Sequence, residues 1–362
     1  MNPRLFQFTF GDGYAGSAKI AIESSELLAG KGFDVTLFVS QNSLSEKRAK
    51  EKKLNVVSLN DKQDFKSLFK EINSHFDRTK PQYVISHHSL DRKIGFKLKS
   101  LYKNKFINIG YRHNITKSFP FIGPFMYNHY YDYLIACSRG VADSLISSGI
   151  KKKKVKVIYN GINIPENVNE IFGNTIREKY NLNNKIVLGL STWFHKERKG
   201  FDILFSAFSK LGNNFVLLLV GIPLENRKEV LEYAKEFNIS PDKLIMPGYV
   251  ENIWEYYKAM DIFLLPSRSE GFSLALLEAA AAKLPVIASN IPGNNEFIID
   301  NQNGFLFDIK NPGELVEKIK LLYNNPGLKI ILGESAYASV TTNFQMKNFL
   351  KNLQDFLFEI RE

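Results

Sequence analysis

The sequence predicts an α/β protein built from two doubly wound, parallel-sheet domains with a cleft between them. Three observations predict it. Short apolar runs alternate with amphipathic stretches of helical period along nearly the whole chain. The alternation breaks once, near Asn160–Asn174, where Asn, Gly and Pro cluster. The chain has 362 residues, too many for one ordinary core and suited to two. The expected division is an N-terminal Rossmann-like domain at 1–165 and a C-terminal Rossmann-like domain at 166–340. A terminal helix at 341–362 is expected to pack back towards the first domain.

In the first half, Leu5–Phe10, Asp34–Ser40, Tyr83–Ser86, Phe106–Tyr111, Tyr133–Cys137 and Lys154–Tyr159 read as short strands. Between them Ala18–Lys31, Asp64–Phe76 and 141–150 read as helices. Phe65, Leu68, Phe69 and Ile72 fall on one face of the second. In the second half, Lys185–Leu190, Phe215–Val220, Lys243–Met246, Asp261–Pro266 and 285–289 read as strands, followed by a short segment at Gly304–Phe307. Asp202–Lys210, Lys228–Phe237, Ile253–Met260, Leu274–Lys283 and Pro312–Tyr323 read as helices, and helices continue to the C-terminus. Ser273 is a natural N-cap for Leu274–Lys283, whose alanine-rich interior has high helix propensity; Pro285 closes it.

Composition excludes several classes. Hydrophobic residues make up 44%, which is globular rather than disordered. No apolar run approaches the roughly 20 residues of a spanning helix. The N-terminus leads into a strand and lacks the pattern of a signal peptide, so the cytoplasm is the expected compartment. The lone cysteine, Cys137, rules out a disulfide framework and a cysteine-based metal site. The net charge is +11. Residues 1–170 hold 27 Lys and Arg against 15 Asp and Glu; the remainder holds 21 against 22. The whole excess lies in the first half, which fits either a solvated lysine-rich surface or an anionic partner.

Four constellations bear on chemistry. Phe10-Gly-Asp-Gly-Tyr-Ala-Gly-Ser17 is a glycine-rich turn between a strand and a helix, where backbone can approach a bulky anion. It is not a clean G-x-G-x-x-G followed by an acidic residue, so a nicotinamide site is not expected. His87, His88 and His113 lie near strand ends. Their spacing does not support a metal trio, and each alone fits a structural role better than a catalytic one. His195-Lys-Glu-Arg-Lys-Gly200 is a basic turn after a strand; it is either a solvated turn or a site that neutralises a diphosphate. Arg268-Ser-Glu-Gly-Phe-Ser-Leu-Ala-Leu-Leu-Glu278 places two carboxylates, Glu270 and Glu278, at a strand end and on the next helix, where open α/β sheets bind ligands.

Taken together, the chain resembles a retaining glycosyltransferase of the two-Rossmann-domain GT-B architecture, family 4, a group with many enzymes of bacterial surface-polysaccharide assembly. The resemblance rests on Glu270-Gly-Phe-Ser-Leu-Ala-Leu-Leu-Glu278, an E-x7-E signature, and on Pro292-Gly-Asn-Asn-Glu296 and Asn303-Gly-Phe-Leu306. Leu134-Ile-Ala-Cys-Ser138, Val157-Ile-Tyr-Asn-Gly-Ile162, Lys199-Gly200, Val220-Gly221 and Pro247-Gly-Tyr-Val250 add to it.

The resemblance implies roles. Glu278 would bind ribose hydroxyls and Glu270 would face the transferred sugar. The backbone at Phe272, Ser273 and Leu274 would meet sugar and phosphate, and Val250 would lie against the base. Lys199 would hold the diphosphate, Gly16 would approach the phosphates from the other domain, and His113 would lie by the donor sugar. The family's Gly-Arg before Lys-Gly is replaced here by Ser191-Thr-Trp-Phe, which makes Arg198 the candidate for the missing phosphate-binding arginine. Ser273 and Lys283 stand where the family commonly has Gly; both are compatible with backbone roles.

The implied function is transfer of a hexosyl group, with retention, from a nucleoside diphosphate sugar (a UDP-sugar favoured) to a glycan or polyprenyl-diphosphate-linked acceptor in capsule, O-antigen or glycoconjugate synthesis. No metal or other cofactor is expected. In the basic half, Arg92–Lys105 sets Ile94, Leu98, Leu101 and Tyr102 at helical spacing opposite lysines, and Ser118–Tyr127 reads as an apolar loop. These suit either a peripheral contact with an anionic membrane or a half-buried helix with a core-packed loop. A nucleotide-sugar epimerase or sugar phosphorylase on the same fold is the alternative. Nucleic-acid binding is a remote one, since no reading motif is present.

Overall fold

The computed structural model describes all residues except 1, 12, 14–15, 116–121 and 362, and the side chain of Ile122. The chain divides into two units: residues 1–160 with 347–362, and residues 161–346. The sequence reading placed these divisions at 165/166 and 340/341.

The first unit runs β1 (Arg4–Thr9), α1 (Gly16–Gly30), β2 (Asp34–Ser40), α2 (Leu44–Glu51), β3 (Val56–Leu59), α3 (Phe65–Thr79), β4 (Tyr83–Ser86), α4 (Ser89–Tyr102), β5 (Ile107–Arg112), α5 (Ile122–Tyr130), β6 (Tyr133–Ala136), α6 (Arg139–Ser147) and β7 (Val155–Val157). The seven strands form one parallel sheet in the order β3-β2-β1-β4-β5-β6-β7. Its core is aromatic on one face: Phe6 packs on Phe38 at 4.9 Å and Phe8 on Phe38 at 4.7 Å, with Phe76 and Phe106 beside them.

The second unit runs α7 (Asn174–Lys179), β8 (Ile186–Ser191), α8 (Phe201–Phe208), β9 (Phe215–Val220), α9 (Arg227–Lys235), β10 (Leu244–Gly248), α10 (Ile253–Ala259), β11 (Ile262–Leu265), α11 (Leu274–Ala281), β12 (Val286–Ser289), β13 (Phe305–Phe307), α12 (Pro312–Asn324) and α13 (Pro326–Asn343). Its six parallel strands are ordered β10-β9-β8-β11-β12-β13. Every residue of β9 and β11 is buried, as expected of parallel strands covered on both faces.

The last helix, α14 (Met346–Glu359), belongs to the first unit apart from its first residue. Tyr83 donates from its hydroxyl to the Leu357 carbonyl at 2.8 Å, Phe356 packs edge-on against Tyr133, and Lys156 pairs with Glu359 at 2.8 Å.

Two expectations change. The stretch after His113, read as an apolar loop, is helical over Ile122–Tyr130; the rest of it, 118–121, lies outside the described residues. Pro124 sits in the first turn of that helix, where a missing N–H costs nothing. The elements α2 and β3 were not anticipated. Lysines flank β3, and it is an edge strand, partly exposed over three of its four residues.

Candidate functional site

Each sheet has one point where the strand order reverses. In the second unit it lies between β8 and β11, and the loops leaving their carboxyl ends carry most of the residues singled out by the sequence. Open α/β sheets take ligands at such points.

The turn after β8 is closed by its own backbone: the N–H groups of Lys199, Gly200 and Phe201 donate to the carbonyls of His195, Glu197 and Lys196 at 3.0–3.1 Å. Gly200 adopts φ +66°, and a Cβ there would come within 2.0 Å of the Pro266 carbonyl oxygen. Only glycine lets the turn press against the loop after β11. The Arg268 N–H donates to the Arg198 carbonyl at 2.8 Å and ties the two together. On the other side, Gly293 (φ +91°) leaves the Gly271 carbonyl 2.4 Å from where its Cβ would stand. Ser289 donates from Oγ to the Ser267 carbonyl at 2.5 Å. The segment 266–271 is therefore held from both sides.

That clamp fixes Glu270. Its side chain is buried, 6% exposed, and its Oε1 accepts from Lys199 Nζ at 2.7 Å and Ser267 Oγ at 2.6 Å. The sequence assigned Lys199 and Glu270 to different parts of a ligand; the structure brings them into contact. Phe272 is buried, its ring packed against Phe344 at 5.2 Å. Ser273 caps α11, its Oγ accepting from Leu276 N at 3.4 Å, and Leu274 is the first helical residue. Glu278, 8% exposed in the second turn of α11, accepts from the Tyr257 hydroxyl at 3.0 Å. Burial, reinforced by the Glu278 charge, pushes the Tyr257 phenol well above its ordinary range, so it stays a donor. Val250 lies half-buried just beyond β10.

The two arginines beside this site have different surroundings. Arg268 forms a two-pronged bond to Asp202 at 2.6 and 2.5 Å and a third to the Glu197 carbonyl at 3.0 Å. The guanidinium hydrogen bond holds Asp202 below the usual carboxylate range. Arg268 is thus a structural brace. Arg198 is half-buried, its N–H donating to His195 Nδ1 at 3.3 Å. Trp193, where the family has Gly-Arg, is 60% exposed.

In the first unit the reversal lies between β1 and β4. Asp91, fully buried in the first turn of α4, accepts from the backbone N–H groups of Phe10 (3.3 Å), His87 (3.1 Å) and His88 (2.7 Å). It joins the ends of the two strands. The sequence reading passed over Asp91; its signal was an acidic residue three positions after the helix cap. His88 Nε2 meets Ser17 Oγ at 2.8 Å. His113, half-buried at the end of β5, meets His87: His87 Nδ1 and His113 Nε2 are 2.8 Å apart. Burial holds both rings well below the ordinary histidine value. Gly16 is exposed at the start of α1; Asp12, Tyr14 and Ala15 of the glycine-rich turn lie outside the described residues. Among the described residues no group of three or more His, Cys, Asp or Glu is placed to hold a metal ion.

Residues 14–165 match Glycosyltransferase Family 4, and residues 174–339 match Glycosyl transferases group 1. The chain belongs to the family 4, group 1 glycosyltransferases. An uncharacterized glycosyltransferase of Methanocaldococcus jannaschii is 32% identical over 56% of the chain. The capsular polysaccharide biosynthesis glycosyltransferase CapM of Staphylococcus aureus is 26% identical over 61%. These matches span 53% and 60% of the relatives' own lengths. The structure of Anabaena HepE in complex with UDP-glucose superposes with a TM-score of 0.87, 16% identity and coverage of 98% of this chain and 99% of that one. The fold is accordingly GT-B: two parallel-sheet α/β units. In this family 4 glycosyltransferase, Lys199, Glu270 and Glu278 all lie on the strand-end side of the second sheet, and His113 at a strand end of the first.

Proposed function

We propose that this chain transfers a hexosyl group, with retention, from a UDP-sugar to a glycan or lipid-linked glycan acceptor in cell-surface polysaccharide assembly. The observation that carries the reading is the buried Lys199–Glu270 contact at the switch point, with Glu278 on the helix that follows. A diphosphate entering there competes with Glu270 for the Lys199 ammonium and gains the N-terminal end of α11. Glu270, relieved of that partner, can accept from sugar hydroxyls, and Glu278 from ribose hydroxyls. As the bond from the anomeric carbon to the phosphate oxygen breaks, Lys199 and the helix end stabilise the developing charge. The acceptor oxygen bonds to the same carbon, and its proton passes to the leaving phosphate. The UDP-glucose bound by HepE and the capsular role of CapM support this choice of donor and pathway.

In this reading Lys199, Arg198 and the helix end supply the charge that a metal supplies elsewhere, so chelation leaves activity intact. The test is incubation with a panel of nucleotide sugars and a lipid-linked acceptor, with product analysis. Transfer with retention supports the reading. Epimerised nucleotide sugar or sugar phosphate formed without an acceptor overturns it.

The acceptor is proposed to be met at a membrane surface. In α4, Ile94 and Leu98 are fully buried, so that helix is a core element rather than a free amphipathic one. Its exposed residues are Ser89, Lys93, Lys97, Ser100 and Leu101, followed by Lys103, Asn104 and Lys105. The helix α5 packs on it through Phe96 and Tyr127, Tyr130 and Tyr131, and carries Phe125 at 64% exposure. The exposed Lys151–Lys153 turn adjoins α5 through the bond from Lys151 N to Asn128 Oδ1 at 3.0 Å. Exposed aromatic and basic groups of this kind fit an anionic interface.

A further inference from the structure

The second unit carries a cavity of about 520 Å³ that none of Lys199, Glu270 and Glu278 lines. Its walls come from the 165–175 segment and the start of α10. Two aromatic side chains line it: Phe172, 69% exposed, and Trp254, partly exposed. Four polar ones join them, Asn167, Thr175, Asn252 and Glu255. No lysine or arginine is among the described residues that line it. Asn252 stands at the N-cap of α10 but makes no capping bond from its side chain. It donates instead from Nδ2 to Glu255 Oε1 at 2.8 Å. That bond uses one proton of the amide and one oxygen of the carboxylate. The second N–H, the amide oxygen and Glu255 Oε2 remain for a ligand.

The walls are held in place. A Cβ on Gly173 would come within 2.4 Å of Ala259 N and the Lys258 carbonyl, so only glycine lets the chain beside Phe172 lie against the end of α10. Arg177 of α7 pairs with Asp261 at 2.7 Å, and Tyr180 is hydrogen-bonded to Tyr256 of α10. Trp254 packs edge-on against Tyr257 at 6.1 Å, and Tyr257 is bonded to Glu278. A site built this way loses little freedom when it is filled.

The lining selects the ligand. One carboxylate and no cation make a cavity that repels phosphate groups, which does not suit a nucleotide or an anionic lipid. A purely apolar ligand would cover the amides and the carboxylate without pairing them. A neutral pyranose satisfies both kinds of wall. Its C–H face lies against the electron-rich faces of aromatic rings, and its hydroxyls pair with amide and carboxylate. We propose that this cavity is a carbohydrate site separate from the donor site: it stacks a neutral pyranose on Phe172 and Trp254 and hydrogen-bonds it through Asn252 and Glu255. Only its use, holding a unit of the acceptor glycan, rests on the glycosyl-transfer reading; the binding does not.

The chain has two tryptophans, Trp193 and Trp254, so Trp193→Phe leaves Trp254 as the sole indole reporter. The full-length Trp193→Phe protein is titrated, with UDP present in excess, with the methyl glycosides of glucose, galactose, mannose and N-acetylglucosamine. The expected result is a saturable change in Trp254 emission with at least one of them, with Kd on the order of 1 mM for so small a ligand. Phe172→Ala and Asn252→Ala, both at exposed positions, each weaken that binding about 5-fold or more while leaving the urea midpoint unchanged. Sorbitol, a polyol without a ring face, gives no saturable change. No saturable change with any glycoside overturns the proposal. So does a response that sorbitol reproduces, or an affinity that Phe172→Ala leaves unaltered. Absence of transfer from every nucleotide sugar, alongside glycoside binding that Phe172→Ala weakens, sinks the transfer reading and leaves the carbohydrate site standing.

Discussion

The Lys199 ammonium and the Glu270 carboxylate are nearly withdrawn from water and lie 2.7 Å apart, so each is the other's compensation. Removing one leaves an uncompensated buried charge, which costs about 3–5 kcal/mol. Lys199→Ala is therefore expected to lose stability as well as transfer activity. The double variant Lys199→Met, Glu270→Gln is expected to be more stable than the sum of the single losses, yet inactive. Urea unfolding of the four proteins measures the coupling, and strict additivity would remove the pair from the argument. The histidines give a pH dependence of known sign. In the unfolded chain His87 and His113 take up protons around the ordinary value of 6.5; in the folded protein they resist. The stability gained by keeping them neutral is complete above that pH and declines as pH falls below it, by up to about 1.4 kcal/mol per pH unit for each group. His75, also lowered by burial, adds in the same direction. The fall in urea midpoint between pH 7 and 5.5 is expected to shrink in the double variant His87→Asn, His113→Asn; an unchanged slope would assign it to carboxylates instead.

At the scale of elements, the carboxylate loop is shaped by what presses on it. Gly200 and Gly293 both combine a left-handed backbone with a carbonyl where a Cβ would stand. Gly293→Ala is expected to displace the 271–272 peptide and weaken donor binding more than Ser273→Ala. The latter removes only a helix cap, worth about 1 kcal/mol. Thermal melts with and without UDP separate the two effects: similar ligand-induced shifts in both variants would contradict the clamp. A truncation before Met346 strips the first unit of α14 and uncovers Tyr83 and Tyr133, so loss of cooperative folding is expected in that unit. The sequence disclosed the elements with strong periodicity, such as α3, and those with a plain cap, such as α11. It did not disclose α5, because Ser118–Tyr127 holds two prolines and a glycine, and the helix packs through Tyr127 and Tyr130 against the distant Phe96. The edge strand β3 was hidden for a related reason: pairing with β2, not its own composition, makes Val56–Leu59 a strand.

At the scale of the molecule, the net positive charge lies wholly in the first 170 residues, and no helix among the described residues is long and apolar enough to cross a membrane. Sedimentation with anionic vesicles is expected to retain the protein at low salt and release it as salt is raised. Phe125→Ser should weaken retention, and equal binding to neutral vesicles would count against an electrostatic contact. A nucleotide sugar at about 100 times its Kd is expected to add about 2.7 kcal/mol of stability. Hydrogen exchange should slow in the 195–200 turn and the 266–274 segment, where the switch-point contacts lie.

The sequence by itself determined the parallel-sheet class, the two-part organisation and the segments that carry chemistry. Strand alternation, caps and the E-x7-E spacing are local properties, and 270 and 278 are neighbours along the chain. Only the tertiary structure decided which groups meet. Lys199 and Glu270 are 71 positions apart, and His87 and His113 are 26 apart. Asp91 reaches Phe10 across 81. Those contacts depend on strand order, which brings β8 beside β11 and β1 beside β4. Arg268 shows the same dependence: its pairing with Asp202, 66 positions away, is set by the fold.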